Sequence, residues 1–146
     1  TVLHQKISGR IERALRLWVE DRGLGEVYDA PIDVVLGEHN VVQPDILYVS
    51  RERLGIVKEA NIRGAPDLVV EILSPSTVEW DQGLKRRVYG RYGVREFWAV
   101  DPDGRSIELA AHDGRELATV QVYSLGTTLT SRLLAGFELE VKEVFR

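Results

Sequence analysis

From His4 to about Arg22 the apolar residues Ile7, Ile11, Ala14, Leu15, Trp18 and Val19 recur at helical spacing, and Gly23 suits a helix stop. This pattern predicts an amphipathic first helix. Glu26 to Leu36 and Val41 to Val49 then read as two strands joined by the polar turn Gly37-Glu38-His39-Asn40. Arg51 to Gly64 carries no clear period beyond a short strand near Ile56. Asp67 to Leu73 is the most apolar run, which predicts a central strand ending at Ser74-Pro75. Ser76 and Glu79 have the spacing of a capping box, opening a helix that runs to about Tyr92, before Gly93. Strands follow at Glu96 to Val100, Ser106 to Ala111 and Ala118 to Ser124, separated by turns at Asp101-Pro102-Asp103-Gly104 and His112-Asp113-Gly114. A short tail helix or strand is expected at Val141 to Phe145. Helix, hairpin, central strand, helix, strand and meander predict a single α/β (α+β) domain over residues 1–146, with a mixed sheet and antiparallel C-terminal strands.

Two Pro-Asp steps, Pro44-Asp45 and Pro66-Asp67, open apolar runs, and the second run also contains Glu71 between Val70 and Ile72. A carboxylate inside such a strand loses hydration worth several kcal/mol unless it meets a cation or a metal. Asp67 and Glu71 lie four strand residues apart, about 13 Å at roughly 3.3 Å each, too far to share one ion. Asp67 is therefore a strand-entry or turn residue. Asp45 sits on a different strand, and neighbouring strands are only about 4.8 Å apart. Asp45 and Glu71 are thus the pair that can hold a hard cation. In the competing reading an arginine such as Arg63 or Arg87 neutralises Glu71.

At roughly 100° per residue, Leu84, Val88, Asp81, Tyr92, Lys85 and Tyr89 share one arc of the second helix, and Gly83, Arg86 and Gly90 fall on the solvent side. Lys85 on the packed arc needs a partner: either the strand end carrying Glu71, where it can orient a water or meet a phosphate, or an ion pair with Asp81.

Composition narrows the classes. The 146 residues are 44% hydrophobic and 29% charged, with a net charge of −4 and no cysteine. Disulfides, thiolate zinc sites and cysteine nucleophiles are excluded, and an indiscriminate polyanion binder is disfavoured. Lys85, Arg86, Arg87, Arg91 and Arg95 nonetheless form a locally basic element with no acid among them. No apolar stretch approaches the roughly 20 residues of a bilayer span, and no signal segment opens the chain, so a cytoplasmic location without membrane partners is expected. His4, His39 and His112 fall on a terminus and two turns and read as solvent-facing. Ser74 and Ser76 lack a nearby base and read as turn and cap.

The segments Gln43-Pro44-Asp45, Pro66 to Thr77, the series Asp81, Lys85 and Tyr89, Gly93 to Pro102, and Leu134-Ala135-Gly136-Phe137 resemble the restriction-endonuclease-like superfamily of PD-(D/E)xK phosphodiesterases. More closely, they resemble its bacterial Uma-type family of endonucleases. The resemblance implies a restriction-endonuclease-like mixed sheet flanked by helices and a Mg²⁺- or Mn²⁺-dependent hydrolysis of DNA. It implies Asp45, Glu71 and the backbone carbonyl of Ile72 as metal ligands. The superfamily's lysine two residues after the glutamate is Leu73 here, and related families supply that lysine from the following helix, where Lys85 stands. Glu12 is a further acid of the kind some relatives use, although an i,i+4 pair with Arg16 explains it as well. Arg86, Arg87 and Arg91 would contact the DNA backbone, and a homodimer or higher homo-oligomer is expected for cutting both strands. The alternative is a nuclease fold retained as a binding, regulatory or structural module without turnover.

Overall fold

The computed structural model describes residues 1–74 and 78–146, with only the backbone for residues 78–81. The expected capping box at Ser76 and Glu79, and the Asp81 side chain, lie outside the described residues. Helix α1 (Val2–Asp21) begins at Thr1, whose hydroxyl accepts from the His4 amide at 3.1 Å. Its stripe of Ile7, Ile11, Leu15 and Val19 is fully buried.

The two strands expected next are each cut in two at a proline, which has no N–H to give a ladder. Glu26 to Leu36 becomes β1 (Gly25–Asp29) and β2 (Val34–Gly37), either side of Pro31. Val41 to Val49 becomes β3 (Asn40–Val42) and β4 (Ile46–Ser50), either side of Pro44. The pieces belong to different sheets: β1 pairs with β4, and β2 and β3 form the expected hairpin closed by Gly37 and Asn40. The short strand near Ile56 is instead a 3₁₀ turn over Arg51–Ile56, and β5 (Ile62–Arg63) joins β2 to complete a small three-stranded sheet.

The main sheet has six strands in the order β1-β4-β6-β7-β8-β9, with β6 (Leu68–Ile72), β7 (Glu96–Asp101), β8 (Ser106–His112) and β9 (Leu117–Ser124). Within this sheet β6 and β7 run parallel, linked by the crossover helix α2 (Val78–Arg91), and its other pairs are antiparallel. The layers follow from burial: β6 and β7 are apolar on both faces because helices cover both. On one face α1 packs with Val70, Ile72, Trp98, Ile107 and Leu109, and on the other Tyr89 of α2 packs with Val69, Phe97 and Ala99. The C-terminal segment adds the two-stranded β10 (Thr128–Thr130) and β11 (Glu138–Glu140), then helix α3 (Val141–Phe145), which packs on α1. Among the described residues no helix is long and apolar enough to cross a membrane.

Candidate active site

Ile46 on β4 pairs with Val70 on β6, so the next residues outward, Asp45 and Glu71, face each other across the two strands. Both border one cleft of about 200 Å³, together with His4, Leu73, Gln82 and Lys85. Glu71 is 6% exposed. Its Oε2 accepts from the Tyr89 hydroxyl at 2.7 Å and lies 3.5 Å from the Lys85 Nζ. Asp45 Oδ2 accepts from the backbone N–H of Ile72 at 2.7 Å, and its Oδ1 lies 3.5 Å from His4 Nε2. Burial pushes the Glu71 carboxyl above the ordinary carboxylate value, and the charge of Asp45 adds to this, while Lys85 and Tyr89 pull it back. A buried acid with a second acid across the same cleft leaves room for a cation between them. The donors are oxygens only, which suits a hard divalent ion. Among the described residues no three His, Cys, Asp or Glu side chains gather into a complete ligand set.

Lys85 therefore reaches the strand end carrying Glu71, and among the described residues no arginine pairs with that acid. The packed arc of α2 is rotated from the one expected. Leu84 is 45% exposed, while Tyr89 is fully buried and Lys85 is on the inner side. Gly90, expected on the solvent side, is buried: a Cβ there would stand 3.2 Å from the Leu117 amide nitrogen. Arg86 is likewise not a free surface cation. Its guanidinium donates to Glu108 at 2.6 Å, to the Leu117 carbonyl at 3.0 Å and to Thr119 at 2.7 Å, because the β8–β9 end wraps that side of α2. These bonds engage Arg86 within the fold, whereas Arg87 and Arg91 are exposed.

Asp67 lies at the opposite end of β6 from Glu71 and is 1% exposed. It accepts from the Ser50 amide at 2.7 Å and faces Arg53 at 3.4 Å and Arg95 at 4.0 Å, fastening β4 and the 3₁₀ turn to β6. Glu12 is held by Arg16 at 2.7 Å, one helical turn on. The histidines divide. His39 is exposed, whereas the His112 ring donates from Nε2 to the Gly90 carbonyl at 2.9 Å and ties β8 to α2. His4 is a cleft residue and not a solvent-facing one. Its signal was available: it stands three and seven residues before Ile7 and Ile11, on the same buried stripe.

The family model described as "Putative restriction endonuclease", Uma2, matches residues 1–142. The chain belongs to the Uma2 family. No functionally curated protein matches it. Among solved structures it is similar to a "putative nuclease belonging to DUF820" from Anabaena variabilis, with a TM-score of 0.80 at 19% identity over 98% of this chain and 80% of that one. At that identity the likeness is one of fold. The Uma2 chain thus combines a mixed sheet flanked by helices with a cleft that Leu73 borders from β6's end and Lys85 from α2.

Proposed function

We propose that this chain is a metal-dependent endonuclease that hydrolyses phosphodiester bonds in DNA, with Mg²⁺ or Mn²⁺ held by Asp45, Glu71 and the backbone carbonyl of Ile72. The observation that carries this reading is the convergence of Asp45 and Glu71 with Lys85 in one cleft of a Uma2 family member. A divalent ion bound there supplies Lewis acidity toward the phosphoryl oxygens and lowers the pKa of a bound water. The chain's own groups do the rest. Tyr89 fixes one oxygen of Glu71, leaving the carboxylate a defined orientation toward the cleft. The Ile72 amide does the same for Asp45. The Lys85 ammonium, held near Glu71, orients the attacking water or offsets charge growing on the phosphate. Arg87 and Arg91 contact the backbone phosphates at the exposed side of α2, giving sequence-independent, salt-sensitive affinity.

The test is cleavage of supercoiled, linear and single-stranded DNA with Mg²⁺ or Mn²⁺, against EDTA and against Glu71→Ala. Cleavage that needs the ion and disappears in Glu71→Ala is expected; cleavage undiminished in that variant refutes the assignment. Leu73 and the Lys85–Glu71 ion pair favour a second reading, a nuclease fold retained as a DNA-binding module. That module would bind the same DNA forms without turnover in any of the ions.

A further inference from the structure

The main sheet ends in two edges of different chemistry. At one end β1 is five residues long, carries Glu26 and Asp29 and lies against α1. At the other end β9 is eight residues long and carries no charged side chain from Leu117 to Ser124. An edge strand offers unpaired N–H and C=O groups to any other strand, and charges, prolines and bulges are what keep such edges apart. β9 has one of these devices, a bulge where its register shifts between Leu109 and Ala110 of β8. Beyond the bulge, Gln121, Val122, Tyr123 and Ser124 pair regularly with Leu109, Glu108, Ile107 and Ser106. That stretch is an unguarded edge.

Its surroundings leave it open. Arg86 donates to the Leu117 carbonyl and the Thr119 hydroxyl, so α2 covers the start of the strand. Thr119 to Val122 and Ser124 are exposed, with Val122 at 54%, and Leu125 just past the strand is exposed at 46%. Apolar side chains beside a bare edge favour a partner that pairs the backbone and covers them together. Symmetry and charge choose that partner. In antiparallel pairing about a two-fold axis at Val122, this valine stands opposite its own counterpart and Gln121 opposite the partner's Tyr123, so an apolar pair is flanked by hydrogen-bonding ones. A charged peptide finds no counter-charge on these eight residues. Two copies of a chain of net charge −4 repel each other on average, and an uncharged strand is where they can approach.

We propose that β9 is a self-association edge: it pairs with β9 of a second copy of this chain, antiparallel about a two-fold axis at Val122, and joins the two main sheets edge to edge. A ladder of four or five residues is smaller than a standard interface, so the dimer is of the weak, concentration-dependent kind. None of this depends on the nuclease reading.

The experiment is sedimentation velocity from about 1 µM to about 1 mM, the span from firm to weak complexes. The unmodified chain should pass from monomer to dimer within that span. Val122→Lys sets two ammonium groups face to face and should weaken the dimer at least about tenfold, with urea melts of the dilute monomer unchanged because the position is exposed. Val122→Thr, uncharged and still β-branched, should stay within about threefold of the unmodified chain. The chain has no cysteine, so Val122→Cys carries one thiol per copy. Directly opposed residues have Cα atoms about 4.5–5.5 Å apart, inside the disulfide range, so Val122→Cys should oxidise to a covalent dimer. Val41→Cys, on the exposed part of β3, should stay monomeric under the same oxidant. A chain that remains monomeric across the span overturns the proposal and leaves the edge to a strand of another protein. Unchanged association in Val122→Lys overturns it too, as does cross-linking no faster in Val122→Cys than in Val41→Cys.

Discussion

Replacing Glu71 by Gln removes a buried charge while keeping its shape and an acceptor for Tyr89. Glu71 is 6% exposed, and its partner of opposite charge among the described residues, Lys85, has 36% of its side chain exposed. That attraction is screened by water and does not repay the burial of the carboxylate, whose pKa is accordingly raised from 4.5. A group whose folded pKa lies above its unfolded value gives the fold its full stabilisation below the unfolded value, and loses it as pH rises through the folded one. The unmodified protein is thus penalised at neutral pH and relieved in acid. Glu71→Gln should be more stable at pH 7 by about 1 kcal/mol, inside the roughly 0.5–2 kcal/mol usual for relieving a functional site. For a chain of this length that is a rise in Tm of about 3 °C. The advantage should shrink as pH falls toward 4.5, a difference between two proteins that cancels every other titrating acid. Urea melts at pH 7, 6 and 5 measure it directly. Adding Mn²⁺ reverses the order. An ion at about a hundred times its Kd stabilises the unmodified protein by about 2.7 kcal/mol, and it should leave the variant unmoved. A variant less stable at pH 7, or an advantage that does not decline in acid, would refute the argument that burial dominates at this carboxylate.

Asp67→Ala should cost roughly 1–3 kcal/mol in chemical melts, because it takes the acceptor from the Ser50 amide and an ion-pair partner from Arg53, yet leave Mn²⁺ affinity at the cleft unchanged. Arg86→Ala should lower stability by roughly 1–3 kcal/mol and leave the salt dependence of DNA binding intact. Arg87→Ala and Arg91→Ala should instead reduce the slope of log affinity against log salt by about 1 each, with melts unmoved. Lys85→Ala should reduce cleavage by at least about a hundredfold, and adding Leu73→Lys, which returns a lysine to the strand edge of the same cleft, should recover part of that loss. An additive loss in the double variant would argue against the substitution of one lysine for the other.

The long elements were legible because their signals are local. The run from Leu68 to Ile72, the crossover helix and the strand at Glu96 each carry their own periodicity, and strand spacing alone paired Asp45 with Glu71 and set Asp67 aside. Partition between sheets was not legible: nothing between Glu26 and Leu36 says that one half pairs with β4 and the other with β5, only that Pro31 weakens the ladder between them. The three-residue strands β10 and β11 are too short to show a period at all. Helical spacing turned Tyr89 and Lys85 inward but centred the arc on Leu84, which is exposed, and gave no sign that a second surface covers the other side of α2, so Arg86 and Gly90 read as solvent-facing until β9 is seen against them.

The site itself obeys a narrower rule. Glu71, Lys85 and His4 are each a polar residue set on the apolar stripe of its own element, which is the visible mark. That mark is also carried by Glu96, which is 1% exposed and sits inside β7. The difference lies in where the donors come from. Glu96 is satisfied by the Trp98 indole, the Ser131 hydroxyl and the Leu133 amide, three donors from the fold that fasten the 131–134 loop to the sheet. Glu71 is met by one hydroxyl and by a lysine that also borders open space. A buried acid whose donors all come from the fold serves the fold. Glu71 instead stands at the edge of a cleft it shares with a second acid, and that position is the ground on which it is proposed as an ion ligand.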